Sequence, residues 1–172
     1  MPDRPVILTG FMGSGKSSIG KLLANSLGCV FIDLDSVIVK EAGKTINKIF
    51  AENGEGAFRK LESECLQKVL KNGVSVVAGG GGVVVAESNR RLMRDRGYVI
   101  NLSASLASVL KRLAGAIDRP LYTGQDAVNR VQKLMEERKQ FYADADIRID
   151  TDNKSVEDVV LEILKVLREL QS

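Results

Sequence analysis

The chain has 172 residues, of which 44% are hydrophobic, 27% charged and 5% aromatic, with no tryptophan. That is the composition of one ordinary globular domain, and it excludes a disordered, fibrous or membrane-spanning chain. The net charge of +3 is small and scattered, which suits a small anionic ligand and argues against nucleic acid.

Two cysteines, Cys29 and Cys65, stand without CxxC spacing, and the chain has no histidine. A Cys/His metal centre and a histidine-based triad are therefore excluded, and buried free thiols in a reducing compartment are expected. The opening "MPDRP" lacks a charged lead into an apolar signal core, and no apolar run approaches the length of a bilayer span. The expectation is a cytoplasmic protein with no membrane partner.

In chain order, the first element is the β-rich run "VILT" from Val6. It leads into Gly10, Gly15, Lys16 and Ser17, which satisfy G-x-x-x-x-G-K-[ST]. A strand before that motif and an amphipathic helix after it are the context in which it binds nucleoside triphosphate. The glycines let successive N–H groups face inward, and the helix start adds free N–H groups and partial positive charge. Lys16 then reaches the β and γ phosphates, and the Ser17 hydroxyl ligates Mg²⁺. The helix carries Ile19, Leu22, Leu23 and Leu27 on one face and closes at Gly28.

The second run, "CVFID" from Cys29, ends in Asp33 and is followed two residues later by Asp35. If the strand continues that far, both carboxylates turn the same way, at a strand end that opens onto the ligand crevice. Asp33 can then face the metal through water and Asp35 an acceptor hydroxyl. Residues 34–72 are mostly helical in pattern, with breaks at Gly43 and at "NGEG", Asn53 to Gly56. Such an excursion in a compact α/β domain reads as a lid or a binding insertion. Within it, "NKIF" from Asn47 lacks the aspartate of the guanine-reading Asn-Lys-x-Asp motif, which argues against a GTPase.

The third run, "VSVVA" from Val74, ends in Gly79 to Gly82. Glycines at a strand's carboxyl end let the backbone approach a ligand and donate N–H groups, as a small polyhydroxylated acceptor would need. The fourth run is "YVINL" from Tyr98. Residues 114–125 hold two glycines and a proline inside an otherwise helical region and read, like 34–72, as a lid or a binding insertion. The last strand, "DIRID" from Asp146, precedes a Ser155/Asp158 capping box and an apolar stripe from Val156 to Leu170. Five strands alternating with helices predict a parallel sheet covered on both faces. Arg59, Arg119 and Arg138 are the forks suited to carboxylate or phosphate.

Taken together, "GFMGSGKSSIG", "FIDLD", "IFAENGEGAFRKLE", "GGGG", "DRPLYTG" and "ERKQFYADAD" resemble a shikimate kinase along the whole chain. The resemblance implies a P-loop NTPase fold of the nucleoside monophosphate kinase type. It would be one α/β domain over 1–172, with a five-stranded parallel sheet in the order 2-3-1-4-5, an acceptor-binding insertion at about 34–72 and a lid at about 112–125.

The activity it implies is transfer of the γ-phosphoryl group of ATP, with Mg²⁺, to the 3-hydroxyl of shikimate. Shikimate 3-phosphate and ADP would be formed on the route to chorismate and the aromatic amino acids, by an enzyme expected to be a monomer. The resemblance implies ATP binding by Gly13, Ser14, Gly15, Lys16, Ser17, Ser18, Arg112 and Arg119, with Arg112 on the adenine and Arg119 over the phosphates. Lys16, Asp35 and Arg119 are the implied catalytic set, with Asp35 as base. Asp33 reaches the metal through water. Arg59 and Arg138 clamp the shikimate carboxylate, and Gly80 and Gly81 offer backbone contacts.

Two positions depart from the common family pattern: Gly82 in "GGGG", expected to loosen the acceptor wall, and Tyr122 in the lid. A related gluconate or nucleoside monophosphate kinase, or a silent ATP-binding module, are the alternatives. The second predicts a lost lysine, aspartate or lid arginine, and none is lost.

Overall fold

A computed structural model describes residues 1–114 and 126–172. The chain runs β1 (Val6–Thr9), α1 (Lys16–Leu27), β2 (Val30–Asp33), α2 (Leu34–Ala42), α3 (Ile46–Val69), β3 (Ser75–Ala78) and α4 (Glu87–Arg96). It continues with β4 (Tyr98–Ser103), α5 (Leu106–Ala114), α6 (Ala127–Tyr142), β5 (Ile147–Asp150) and α7 (Val156–Leu170). The strands form one sheet in the order β2-β3-β1-β4-β5, and every pairing is parallel. Sheet and order are those expected.

Strand alternation explains how two cores form on one sheet. Val6 and Leu8 of β1, Ile100 and Leu102 of β4 and Ile149 of β5 pack beneath Leu23 of α1 and Ile163 of α7. The intervening Ile7, Val77 and Val99 point to the opposite face, against Ile38 of α2, Leu66 of α3 and Met93 of α4. Successive side chains of a strand point to opposite faces, so a run such as "VILT" must be apolar throughout when both faces are covered. Each fully buried aliphatic side chain of this kind contributes about 1.5–3 kcal/mol.

Helix ends follow local chemistry. Gly28 and Gly43 close α1 and α2 with φ of 65° and 67°. Ser155 and Asp158 make both bonds of the capping box on α7. The break expected at "NGEG" falls on a single residue, Gly54, whose φ of 82° and ψ of 172° kink α3. No helix among the described residues is long and apolar enough to cross a membrane.

One expectation about the second strand is corrected. β2 stops at Asp33, and Asp35 lies in the first turn of α2. Strand periodicity therefore does not align the two aspartates. Asp33 is the N-cap of α2, its Oδ1 accepting from the N–H groups of Asp35 at 3.0 Å and Ser36 at 3.3 Å, so a cap places Asp35 instead. Of the expected lid, residues 112–114 end α5. Arg119, Tyr122 and the rest of the lid lie outside the described residues.

Candidate active site

The carboxyl ends of β1, β2 and β3 open onto a cleft of ≈ 230 Å³, bordered by Lys16, Ser17, Asp33, Asp35, Gly80 and Gly81. On one side is the loop from Gly10 to Gly15. Gly15 holds φ 89° at the N-cap of α1, a conformation that costs an ordinary residue roughly 1–2 kcal/mol. A methyl on Gly10 would stand 2.5 Å from the Leu102 carbonyl oxygen. The first turn of α1 has no side-chain cap and no acidic residue, which leaves its N–H groups and partial positive charge to an anion.

Lys16 Nζ donates to the carbonyls of Gly10 at 2.6 Å and Phe11 at 3.0 Å. Ser14 is 1% exposed, with its hydroxyl turned inward beneath Gly10. Ser17 and Ser18 are exposed at the cleft mouth. Arg112 Nη1 donates to the Gly13 carbonyl at 2.6 Å, so the end of α5 rests on this loop.

Between loop and β2, Ser17 Oγ donates to Asp33 Oδ2 at 3.4 Å. With Oδ1 occupied in capping α2, the second carboxylate oxygen is turned to the serine. A hydroxyl beside one carboxylate oxygen, next to a phosphate cradle, fits a magnesium ion that takes few protein ligands and completes its shell with phosphate and water.

The opposite side is built on the glycine run. Gly79 N donates to the Leu8 carbonyl at 3.0 Å and carries the ladder past the end of β3. A methyl on Gly80 would stand 2.7 Å from Asp35 Oδ1 and 3.2 Å from Glu62 Oε2. One on Gly81 would be 3.5 Å from Arg138 Nη1, and one on Gly82 would overlap the Arg59 guanidinium. The absent side chains thus make room for two carboxylates and two guanidinium groups of the protein itself. The space over Gly82 is filled by the Arg59 guanidinium.

Arg59 Nη1 donates to Glu62 Oε1 at 2.9 Å, and Arg59 Nε lies 3.6 Å from Glu55 Oε1. Glu62 is 1% exposed. Burial raises its pKa above the ordinary value, against the opposing pull of Arg59. Among the described residues, Arg138 Nη1 is buried with no hydrogen-bond partner. A buried cationic N–H is costly to leave unpaired, and the cleft beside it is where an anionic group would satisfy it.

A phosphate cradle and two aspartates on one small cleft, with two guanidinium groups packed beside its glycine run, have a counterpart among known proteins. The sequence model of the family described as shikimate kinase matches residues 12–168. A shikimate kinase of Geobacter sulfurreducens is 53% identical over 170 residues, covering 98% of this chain and 93% of that protein. The chain belongs to the shikimate kinase family.

The shikimate kinase of Geobacter metallireducens is 52% identical, over 93% of this chain and 89% of that one. The solved shikimate kinase from Acinetobacter baumannii in complex with shikimate aligns with a TM-score of 0.91 at 30% identity, over 96% of this chain and 93% of that one.

Of the shikimate kinase residues expected from the sequence, the structure gathers Lys16, Ser17, Asp33 and Asp35 at the cleft. Gly80 and Gly81 border it with them, Arg59 and Arg138 pack beside Gly82 and Gly81, and Arg112 lies beside the loop. Three participants were not singled out: Glu62, Arg90 and Tyr142. Glu62 had a readable signal, a carboxylate at i+3 from Arg59 amid the apolar Phe58, Cys65 and Leu66. Arg90 and Tyr142 have none, since Asp144 lies 54 positions from Arg90 and Gly81 lies 61 from Tyr142.

Proposed function

We propose that the cleft holds ATP on the Gly10–Lys16 side and shikimate against Gly80 and Gly81, so that the 3-hydroxyl meets the γ-phosphorus between Lys16 and Asp35. As a shikimate kinase, the protein is an ATP-dependent enzyme acting on shikimate. The new bond joins the acceptor oxygen to the γ-phosphorus, and the bond to the β–γ bridging oxygen breaks, giving shikimate 3-phosphate and ADP. Asp35 takes the hydroxyl proton.

Gly13, Ser14, Gly15, Lys16, Ser17 and Ser18 frame the phosphates, with Lys16 at the β and γ groups and Arg119 above them. Arg112 lies on the adenine side. Ser17, and Asp33 through water, would hold Mg²⁺, which draws charge from the phosphate oxygens. Arg59 and Arg138 fork the shikimate carboxylate and so fix the ring's orientation. Alignment and charge supply most of the acceleration, because the loose transition state leaves little covalent work to the protein. The protein acts as a single-domain, cytoplasmic monomer, with 34–72 as acceptor-binding insertion and 112–125 as lid.

The observation that carries this reading is the buried Nη1 of Arg138, unpartnered among the described residues, beside Gly81, which borders the same cleft as Lys16. Purified protein given ATP, Mg²⁺ and shikimate should release ADP in proportion to acceptor, and Lys16→Ala should abolish that turnover with the circular dichroism unchanged. No acceptor-dependent ADP release, or preference for gluconate or a nucleoside monophosphate in an acceptor panel, would overturn it.

A further inference from the structure

Among the described residues the terminal Nη1 of Arg138 has no partner, so its aim depends on how the carboxyl-terminal end of α6 is held. Arg90 of α4 is the side chain at that junction. Its side chain is 15% exposed. Nη1 donates to the carbonyls of Val84 at 2.7 Å and Val85 at 3.0 Å, just after the glycine run. Its Nε donates to Asp144 Oδ2 at 3.1 Å, two residues past α6, and its guanidinium lies over the Phe141 ring, 4.8 Å from the centroid.

Two further ties run the same way. Tyr142 donates its hydroxyl to the Gly81 carbonyl, and Arg94 donates to the other oxygen of Asp144. Phe141 and Tyr142 stand three and four residues after Arg138, on the same face of the helix one turn on.

We propose that Arg90 is a positioning residue for acceptor binding: it bolts the end of α6 to the loop after the glycine run and thereby sets where Arg138 meets the acceptor carboxylate. A planar fork with several donors and a stacking face suits this junction, because it satisfies two carbonyls and a carboxylate while lying on an aromatic ring. An ammonium group in its place is a single charge without the fork or the stacking plane. Tyr142 closes the same frame from the other side, holding the Gly81 carbonyl so that its peptide keeps one orientation toward the cleft. The inference rests on the reading of Arg138 as an acceptor-carboxylate group.

The test is steady-state kinetics with each substrate varied in turn. Arg90→Lys should raise the KM for shikimate about tenfold, as expected for a misplaced binding group, and leave the KM for ATP within about twofold. Asp144→Asn, which leaves the bonds to Val84 and Val85, should shift it in the same direction by less. Because Arg90 acts through Arg138, the double variant Arg90→Lys/Arg138→Ala should be no worse for shikimate than Arg138→Ala alone, a non-additivity that a purely structural role would not produce.

An unchanged shikimate KM in both single variants, equal rises in both KM values, or additive losses in the double variant would overturn the proposal. If Arg90→Lys does not fold, Asp144→Asn alone and combined with Arg138→Ala decides by the same criteria. If Arg138→Ala itself leaves the shikimate KM unchanged, the carboxylate reading fails and this one with it. A normal Arg138→Ala loss without the Arg90 and Asp144 effects removes only the positioning role.

Discussion

At Glu62 a carboxylate is packed at 1% exposure between Arg59 and the wall at Gly80, with Asp35 and Arg138 close enough to act on its charge. Burial raises its pKa in the folded protein, so the native state keeps the proton to higher pH than the unfolded chain. The resulting stabilisation is complete below the unfolded carboxylate value and is lost as pH rises through the raised native one. Glu62→Gln cannot lose that proton. Denaturant titrations at stepped pH should therefore show wild type losing stability relative to Glu62→Gln as pH climbs from the acid range, and a pH-independent difference would refute it. At this scale the sequence was partly legible. A glycine run signals that something must come close, but the chain does not say that Arg59, rather than a ligand, fills the space over Gly82.

Among the elements, those fixed by contacts within a few residues were the readable ones. The cap from Ser155 to the Asp158 N–H spans three residues at 3.0 Å, and the stripe behind it repeats at helical period. Ser155→Ala should cost about 1 kcal/mol of unfolding free energy, measured by urea denaturation. Asp33 and Asp35 mark where that reading fails. A spacing of two fits a strand, yet the Asp33 carboxylate caps α2 and turns the chain into a helix before Asp35. Local hydrogen bonding of an aspartate to N–H groups two and three residues on competes with strand extension, and here it wins.

Across the whole molecule, the large apolar side chains left exposed in the described residues lie on β2, α2, α3, α6 and α7, at Met1, and in the connections at Val74 and Val85. Sedimentation of the purified protein should give one species of 18.7 kDa, and a concentration-dependent dimer would contradict the expected monomer. By itself the sequence determined the five strands, the phosphate loop, the Gly28 end of α1 and the Ser155 cap with the apolar stripe behind it, because these depend on periodicity and on bonds over three or four residues. Only the tertiary structure decided that Arg59, Glu62 and Arg138 converge on the glycine run and that Arg90 ties α4 to α6. Their separations in sequence are bridged by sheet order and packing, which no local pattern encodes.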